Sequence, residues 1–265
     1  MTRKMGYHRI LIGFLLVYLL LPLIATALYA FAGKWDHTIL PETWTLDWFR
    51  QMSLDARFLE SLWNSFYLCG ISVLLSLVVM LPTVFIVTVY FPRWEFLFKS
   101  LVVLPYAIPG IVAAVGLIRA YSSGPIAISG TAYILIGAYF VAILPYMYQG
   151  LRNSMLTVDA PALLDAAEML GVSKITAFRT VILPNILPGV TVSILLSFSV
   201  LFGEFVLTNM LVGGQIETVQ IYLYKRLAES GHLASTIAIL YFSFILLVSI
   251  GLTKIGNLMK GGLRL

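Results

Sequence analysis

The sequence predicts an all-α polytopic membrane protein with six spanning helices, and three observations carry that reading. First, the 265 residues are 60% hydrophobic and only 11% charged, with a mean hydropathy of +0.95. A soluble domain carries roughly 25% charged residues, so this chain lacks the polar surface to cover a water-exposed globule, and a large soluble catalytic domain is excluded. Second, apolar runs recur at the length of about 20 residues that crosses a bilayer. Third, Lys and Arg are unevenly shared between the connecting segments.

The expected spans run about 10–31, 66–90, 100–120, 130–150, 186–209 and 234–256 within a single transmembrane domain, 1–265. The first follows Arg3, Lys4 and Arg9 and ends near Ala30-Phe31-Ala32, as a secretory signal does. Its apolar run is too long for a typical signal segment, so a retained helix is expected.

With the N-terminus in the cytoplasm, segments 1–9, 91–99, 151–185 and 254–265 lie inside and hold 11 of the 17 basic residues, Arg3, Lys4, Lys260 and Arg264 among them. Acidic residues skew the other way, four inside and seven outside. Both termini are therefore expected in the cytoplasm. Topology accounts for the net charge of +5, and nucleic-acid binding loses its motive.

The outer loop 33–64 carries Trp35, Trp44, Trp48 and Trp63, four of the five tryptophans, among Glu42, Asp47, Arg50, Asp55 and Arg57. That pattern predicts an amphipathic helix anchored along the interface. The second outer loop, roughly 210–233, has Gly213-Gly214 and a polar stretch, and is a candidate partner surface. Pro follows Leu at positions 22, 82, 105, 145, 184 and 188, which predicts kinked helices around a cavity. Tyr106, Tyr121, Tyr139 and Tyr146 could line a cavity, with belt or packing roles the stronger expectation for each, and Arg119 is expected to snorkel at a helix end.

Site chemistry is sparse. Cys69 is the single cysteine, and His8, His37 and His232 lie in separate segments without metal-ligand spacing. Glu204 is the one acidic residue well inside an expected span. A carboxylate at that depth costs roughly 2.5 to 3.5 kcal/mol, so it either lines a pathway for a cationic solute or makes a structural hydrogen bond. An intramembrane enzyme would need an ionisable pair where only Glu204 stands. A stand-alone secondary transporter would show an internal repeat or several embedded charges, and neither is present.

The most informative segment is the inner loop 151–185. Asp159 can cap a first helix with Pro161 in its opening turn and Gly171 as a left-handed stop. Ser173 can cap a second helix that runs to a break at Pro184. Leu163, Leu164, Ala167 and Leu170 share one face, and Asp165 and Glu168 another. This apolar stripe packs either on neighbouring inner loops or in a groove of a separate protein.

Asp165-Ala166-Ala167, Gly171, and then Val181-Ile182-Leu183-Pro184 after nine further residues resemble the loop of ABC importer permeases, whose signature reads Glu-Ala-Ala, three residues, Gly, nine residues, Ile-x-Leu-Pro. Asp165 for Glu and Val181 for Ile keep charge and shape. Asn64-Ser65 and Leu104 to Gly110 are similar to the same family. Gly203-Glu204-Phe205 resembles its branch for polyamines, iron, thiamine or aminophosphonates.

The resemblance implies a type I ABC importer permease fold in a bacterial inner membrane. It implies partners: a second permease subunit, identical or similar, an ABC ATPase dimer inside and a substrate-binding protein outside. It gives Asp165, Ala166, Ala167, Gly171, Leu183 and Pro184 a role in coupling to the ATPase, through a coupling helix from about Asp159 to Leu170. The chain has no Gly-x-x-x-x-Gly-Lys-Ser/Thr phosphate cradle, so ATP is expected on the partner, and no catalytic residue, cofactor or metal on this chain. A polyamine or similar small cation is the expected solute, with iron(III), thiamine or 2-aminoethylphosphonate as alternatives.

Overall fold

The computed structural model describes residues 2–262. Of the basic residues counted above, Arg264 lies outside that range, and Arg3, Lys4 and Lys260 outside the residues whose side chains are described.

The chain is almost wholly helical. A first helix, α1 (Thr2–Phe31), leads into a short antiparallel hairpin of β1 (Ala32–Lys34) and β2 (Thr43–Trp44), with Ala32 opposite Trp44 and Lys34 opposite Thr43. Then follow α2 (Asp47–Leu54), α3 (Ala56–Tyr90), a 3-10 turn (Pro92–Trp94), α4 (Glu95–Val103), a second 3-10 turn (Leu104–Ala107) and α5 (Gly110–Tyr121). Next come α6 (Ala132–Thr157), α7 (Ala160–Met169), α8 (Lys174–Ala177), a π-helical turn (Phe178–Ile182) and α9 (Leu183–Phe202). The chain closes with α10 (Val206–Val212), α11 (Val219–Leu227) and α12 (Gly231–Gly262).

Among the described residues, five helical stretches are long and apolar enough to cross a membrane: Leu11–Phe31, Ala56–Tyr90, Ala132–Thr157, Lys174–Phe202 and Gly231–Lys254. A sixth requires counting Pro92–Ala107 and Gly110–Tyr121 together, and these bend by 96°. The expected third span, 100–120, falls on this bent pair. Pro109 removes a donor and forces Ile108 into extended backbone (φ −102°, ψ 118°), which ends the preceding turn. By contrast Pro22, Pro82, Pro145 and Pro188 sit within continuous helices. The second span also begins earlier than expected, because α3 starts at Ala56 and absorbs the end of the outer loop.

The chain divides into two compact units. The first comprises residues up to Glu60 together with Tyr222–Phe244. Most of α1 presents apolar side chains outward, including Phe14, Tyr18 and Leu19, as a lipid-facing helix does; burial begins at its end, with Ala30 and Ala32 fully enclosed. Within the outer loop 33–64 the helix that forms is α2, which is short and buries Met52. Trp48 donates its indole N–H to the Ala32 carbonyl at 3.0 Å, tying α2 to the hairpin. Asp55 joins α11 by accepting from the Tyr222 hydroxyl at 2.8 Å and pairing with Arg226 at 3.1 Å; Arg226 also pairs with Glu229 at 2.6 Å.

The second unit comprises Ser61–Ile221 and the chain from Ile245 onward. Its centre is α6 packed along α9. Gly150 of α6 lies against Ser193 of α9, and Gly189 of α9 against Ser154 of α6. Both helices thus use a small residue four positions from a serine to bring their backbones together, the form of contact that serves where lipid offers no hydrophobic drive. The Ser154 and Ser193 hydroxyls donate to Gly150 and Gly189 carbonyls of their own helices at 2.7 and 2.8 Å, so no polar hydrogen is left facing hydrocarbon. At one end Glu95, opening α4, pairs with Arg152 of α6. Each of these two pairs, Asp55–Arg226 and Glu95–Arg152, joins segments that the charge pattern assigned to one side.

Candidate functional site

The loop between α6 and α9 has the local structure its sequence dictates. The chain leaves α6 and reverses at Asp159, which adopts left-handed backbone (φ 51°) while its carboxylate accepts the Ala162 amide at 3.4 Å. Pro161 follows in the first turn of α7, where a missing N–H costs nothing. Gly171, at φ 76°, ends the turn, and Ser173 caps α8 by accepting the Thr176 amide at 3.3 Å. Glu168 and Lys174 close the elbow with a 3.2 Å ion pair, and the Lys174 ammonium sits 4.9 Å above the Tyr90 ring.

Burial divides the expected coupling residues. Ala160, Leu164 and Ala167 turn into the protein, while Asp165, Ala166 and Gly171 are exposed and Leu183 and Pro184 half-buried. Leu170 does not continue the buried stripe. Because α7 ends at Met169, Leu170 leaves the helical path and is 82% exposed, beside Met169 at 89% and Ile175 at 69%. Sequence periodicity missed this apolar tip because it extended the helix one residue too far. Nor does the second helix stop at Pro184. The π-helical turn Phe178–Ile182 hands the Leu183 amide back to the Phe178 carbonyl, so the ladder shifts register just before Pro184 and runs on into α9.

Glu204 does not lie within a helix, since α9 ends at Phe202 and Glu204 sits half-buried in the break before α10. Its carboxylate caps α10, accepting the Leu207 amide at 2.8 Å, the Thr208 amide at 3.0 Å and the Thr208 hydroxyl at 3.0 Å. The Thr208 hydroxyl is also hydrogen-bonded to the Tyr139 hydroxyl of α6, with both residues fully buried.

Beside this chain of hydroxyls lies a cavity of about 650 Å³, bounded by the bend before α5, by α5 and α6, and by Val200 and Leu207. Tyr106, Tyr121, Tyr133 and Tyr146 line it, and Tyr106 meets Tyr146 edge to face at 5.6 Å. Of the four tyrosines weighed between cavity lining and packing, Tyr106, Tyr121 and Tyr146 border the cavity and Tyr139 packs inside. No charged side chain lines the cavity among the described residues. Arg119 stands exposed near the end of α5. Among the described residues no three His, Cys, Asp or Glu side chains gather as a metal site.

Residues 81–259 match the family model described as binding-protein-dependent transport system inner membrane component. The chain belongs to that family. It is an ABC importer permease, a multi-pass protein of the inner membrane. Over 181 residues the permease is 29% identical to the Fe(3+)-transport system permease protein FbpB 2 of Haemophilus influenzae, a match covering 68% of this chain but 36% of that relative. A protein of Salmonella typhi named for 2-aminoethylphosphonate transport, PhnV, is 26% identical over 255 residues, 91% of both chains. The spermidine/putrescine transport permease PotB of Haemophilus influenzae is 27% identical over 172 residues, 59% of this chain and 60% of that one. The fold matches a bacterial ABC transporter for alginate, solved in complex with an alginate-bound periplasmic protein, with a TM-score of 0.71 at 17% identity, covering 97% of this chain and 94% of that one.

Proposed function

We propose that this permease forms the solute pathway of its importer with a second, identical or similar, permease subunit. In this reading α7 docks an ABC ATPase dimer on the cytoplasmic side, where both termini lie, and a substrate-binding protein delivers the solute on the other side. ATP is bound and hydrolysed by the ATPase, and the permease itself performs no catalysis.

The observation that carries this reading is the exposed apolar tip that Met169, Leu170 and Ile175 form where α7 gives way to α8, with α7 fixed from behind by Leu164 and Ala167. Such a tip, outside the spanning stretches save for Ile175 at the first turn of one, calls for a cover. Asp165 and Ala166 supply charge and a small surface beside it, and Gly171 supplies the turn. Leu183 and Pro184 belong to the unbroken helical path from Lys174 to Phe202, so a push on α8 reaches the break at Glu204 without an intervening loop. Coupling follows only as far as the ATPase binds the two states of the permease differently. The test is co-purification of the ATPase with Leu170→Asp. Loss of the ATPase from an otherwise intact permease is expected, and undiminished co-purification defeats the docking role.

For the solute we propose a polyamine or similar small cation, with iron(III), thiamine and 2-aminoethylphosphonate as alternatives. The tyrosine-lined cavity supports a cation, because ring faces attract positive charge. Glu204 adds less than its sequence position suggested, since both its oxygens already accept hydrogen bonds. ATP-dependent uptake of each solute into vesicles carrying the assembled importer decides among them.

A further inference from the structure

The first unit holds an open hollow of about 480 Å³ where α1 meets the hairpin. Tyr29 and Trp35 wall it, Asp36 stands at its rim, and the hydroxyl-bearing Thr26, Thr38 and Ser235 surround it. The two rings are 5.9 Å apart and tilted by 45°, so they form a corner rather than a closed stack.

That corner is held in place. Trp35 donates its indole N–H to the Thr38 carbonyl at 2.8 Å. Tyr29 stacks on His232 at 4.1 Å, His232 stacks on Trp48 at 5.7 Å, and His232 Nδ1 contacts the Tyr29 carbonyl at 2.9 Å. Four rings from α1, the hairpin, α2 and α12 thus fix the wall before any ligand arrives, which lowers the ordering cost of binding.

Two aromatic faces attract positive charge, and a carboxylate at the rim does the same. An anion would be repelled by Asp36, and a purely apolar molecule would gain nothing from the carboxylate. Lys34 pairs with both Glu42 (3.5 Å) and, more loosely, Asp36 (4.0 Å), and the Asp36 side chain is 57% exposed, so an incoming cation can reach it from solvent. Thr26 and Tyr29 belong to the last turns of the Leu11–Phe31 stretch, the depth at which aromatic rings meet lipid headgroups.

We propose that this hollow binds an alkylammonium group, carried by a lipid headgroup or by a free amine. The site is separate from the cavity of the second unit and independent of which solute the importer carries.

The test is tryptophan fluorescence of the full-length purified protein in a non-ionic detergent, titrated with choline or ethanolamine and, separately, with phosphatidylethanolamine or phosphatidylglycerol in mixed micelles. Sodium chloride at matched ionic strength is the control. A saturable change is expected with an ammonium ligand and not with sodium or phosphatidylglycerol. Response to the free amines assigns a free amine, and response to phosphatidylethanolamine alone assigns a headgroup. Trp35→Phe should abolish the optical change, and Asp36→Asn, on an exposed loop, should weaken apparent affinity by about three- to fivefold. Absence of a saturable response to every ammonium probe, or a response left unchanged in either variant, overturns the proposal.

Discussion

Gly189 of α9 faces Ser154 of α6 so closely that a methyl group in place of its hydrogen would come within 2.7 Å of the Ser154 Cβ. Gly150 makes the reciprocal approach, 3.0 Å from the Ser193 Cβ. The Ser154 and Ser193 hydroxyls, which lie nearer still, can turn away, but the Cβ atoms behind them cannot, so an added carbon presses on the helix contact.

Gly189→Ala and Gly150→Ala are therefore expected to destabilise the protein by about 1 to 3 kcal/mol each, as overpacking does. Gly13→Ala, at a position with nothing within 4 Å, is the matched control and should leave stability unchanged or slightly raised. Thermal unfolding of the three variants in detergent measures this, and equal midpoints for Gly189→Ala and Gly13→Ala would contradict the close packing.

Glu204→Gln leaves one carbonyl oxygen where the carboxylate had two, so the amide NH₂ must face either the Leu207 or the Thr208 amide, donor to donor. A loss of about 1 to 3 kcal/mol is expected. Tyr139→Phe, which removes the outer member of the hydroxyl chain but leaves Thr208 bonded to Glu204, should cost less, about 1 kcal/mol. The ordering of the two melting points is the measurement, and the reverse order would show that the α10 cap is not what Glu204 contributes.

These residues also show how far the sequence could be read. The six apolar runs, the caps at Asp159 and Ser173 and the stop at Gly171 were legible because each depends on a few neighbouring residues. The breaks were not. Gly203-Glu204-Phe205 and Ile108-Pro109 interrupt helices inside windows whose average hydropathy stays high, so an averaged pattern passes over them. Pro184, which looks like a stop, is carried by a π-helical turn whose register shift no local rule anticipates. The cavity tyrosines were visible as residues but not as a set, since Tyr106 and Tyr146 meet only because the chain bends between α4 and α5. The helix contact of Gly150 and Ser154 with Gly189 and Ser193 did leave a signal, a Gly-x-x-x-Ser spacing on both helices.

Asp55 predicts a dependence on pH. Burial alone would raise its carboxyl, but hydrogen bonds from the Tyr222 hydroxyl and the Phe58 and Arg57 amides, with the Arg226 charge, hold it below its ordinary value of 3.8. A folded carboxyl depressed below its unfolded value contributes stability that is fully present above the unfolded value and lost as pH falls through the folded one. The wild type should thus be more stable than Asp55→Asn at pH 7 and lose that advantage on acidification below about pH 4. Parallel unfolding curves across pH would place the stabilisation elsewhere.

Gly171 allows backbone shape at the elbow to be separated from side-chain chemistry. At φ 76° a β-branched residue is strained, whereas Asn visits the left-handed region with little penalty. With nothing within 4 Å of the added Cβ, steric collision is not at issue. If the turn between α7 and α8 is what presents Leu170 and Ile175 to the ATPase, Gly171→Asn should retain most ATPase co-purification while Gly171→Val, costing about 1 to 2 kcal/mol locally, should lose much of it. Equal loss in both variants would mean that the partner touches Gly171 itself and tolerates no side chain there. Equal retention would mean that the left-handed turn is not needed for docking.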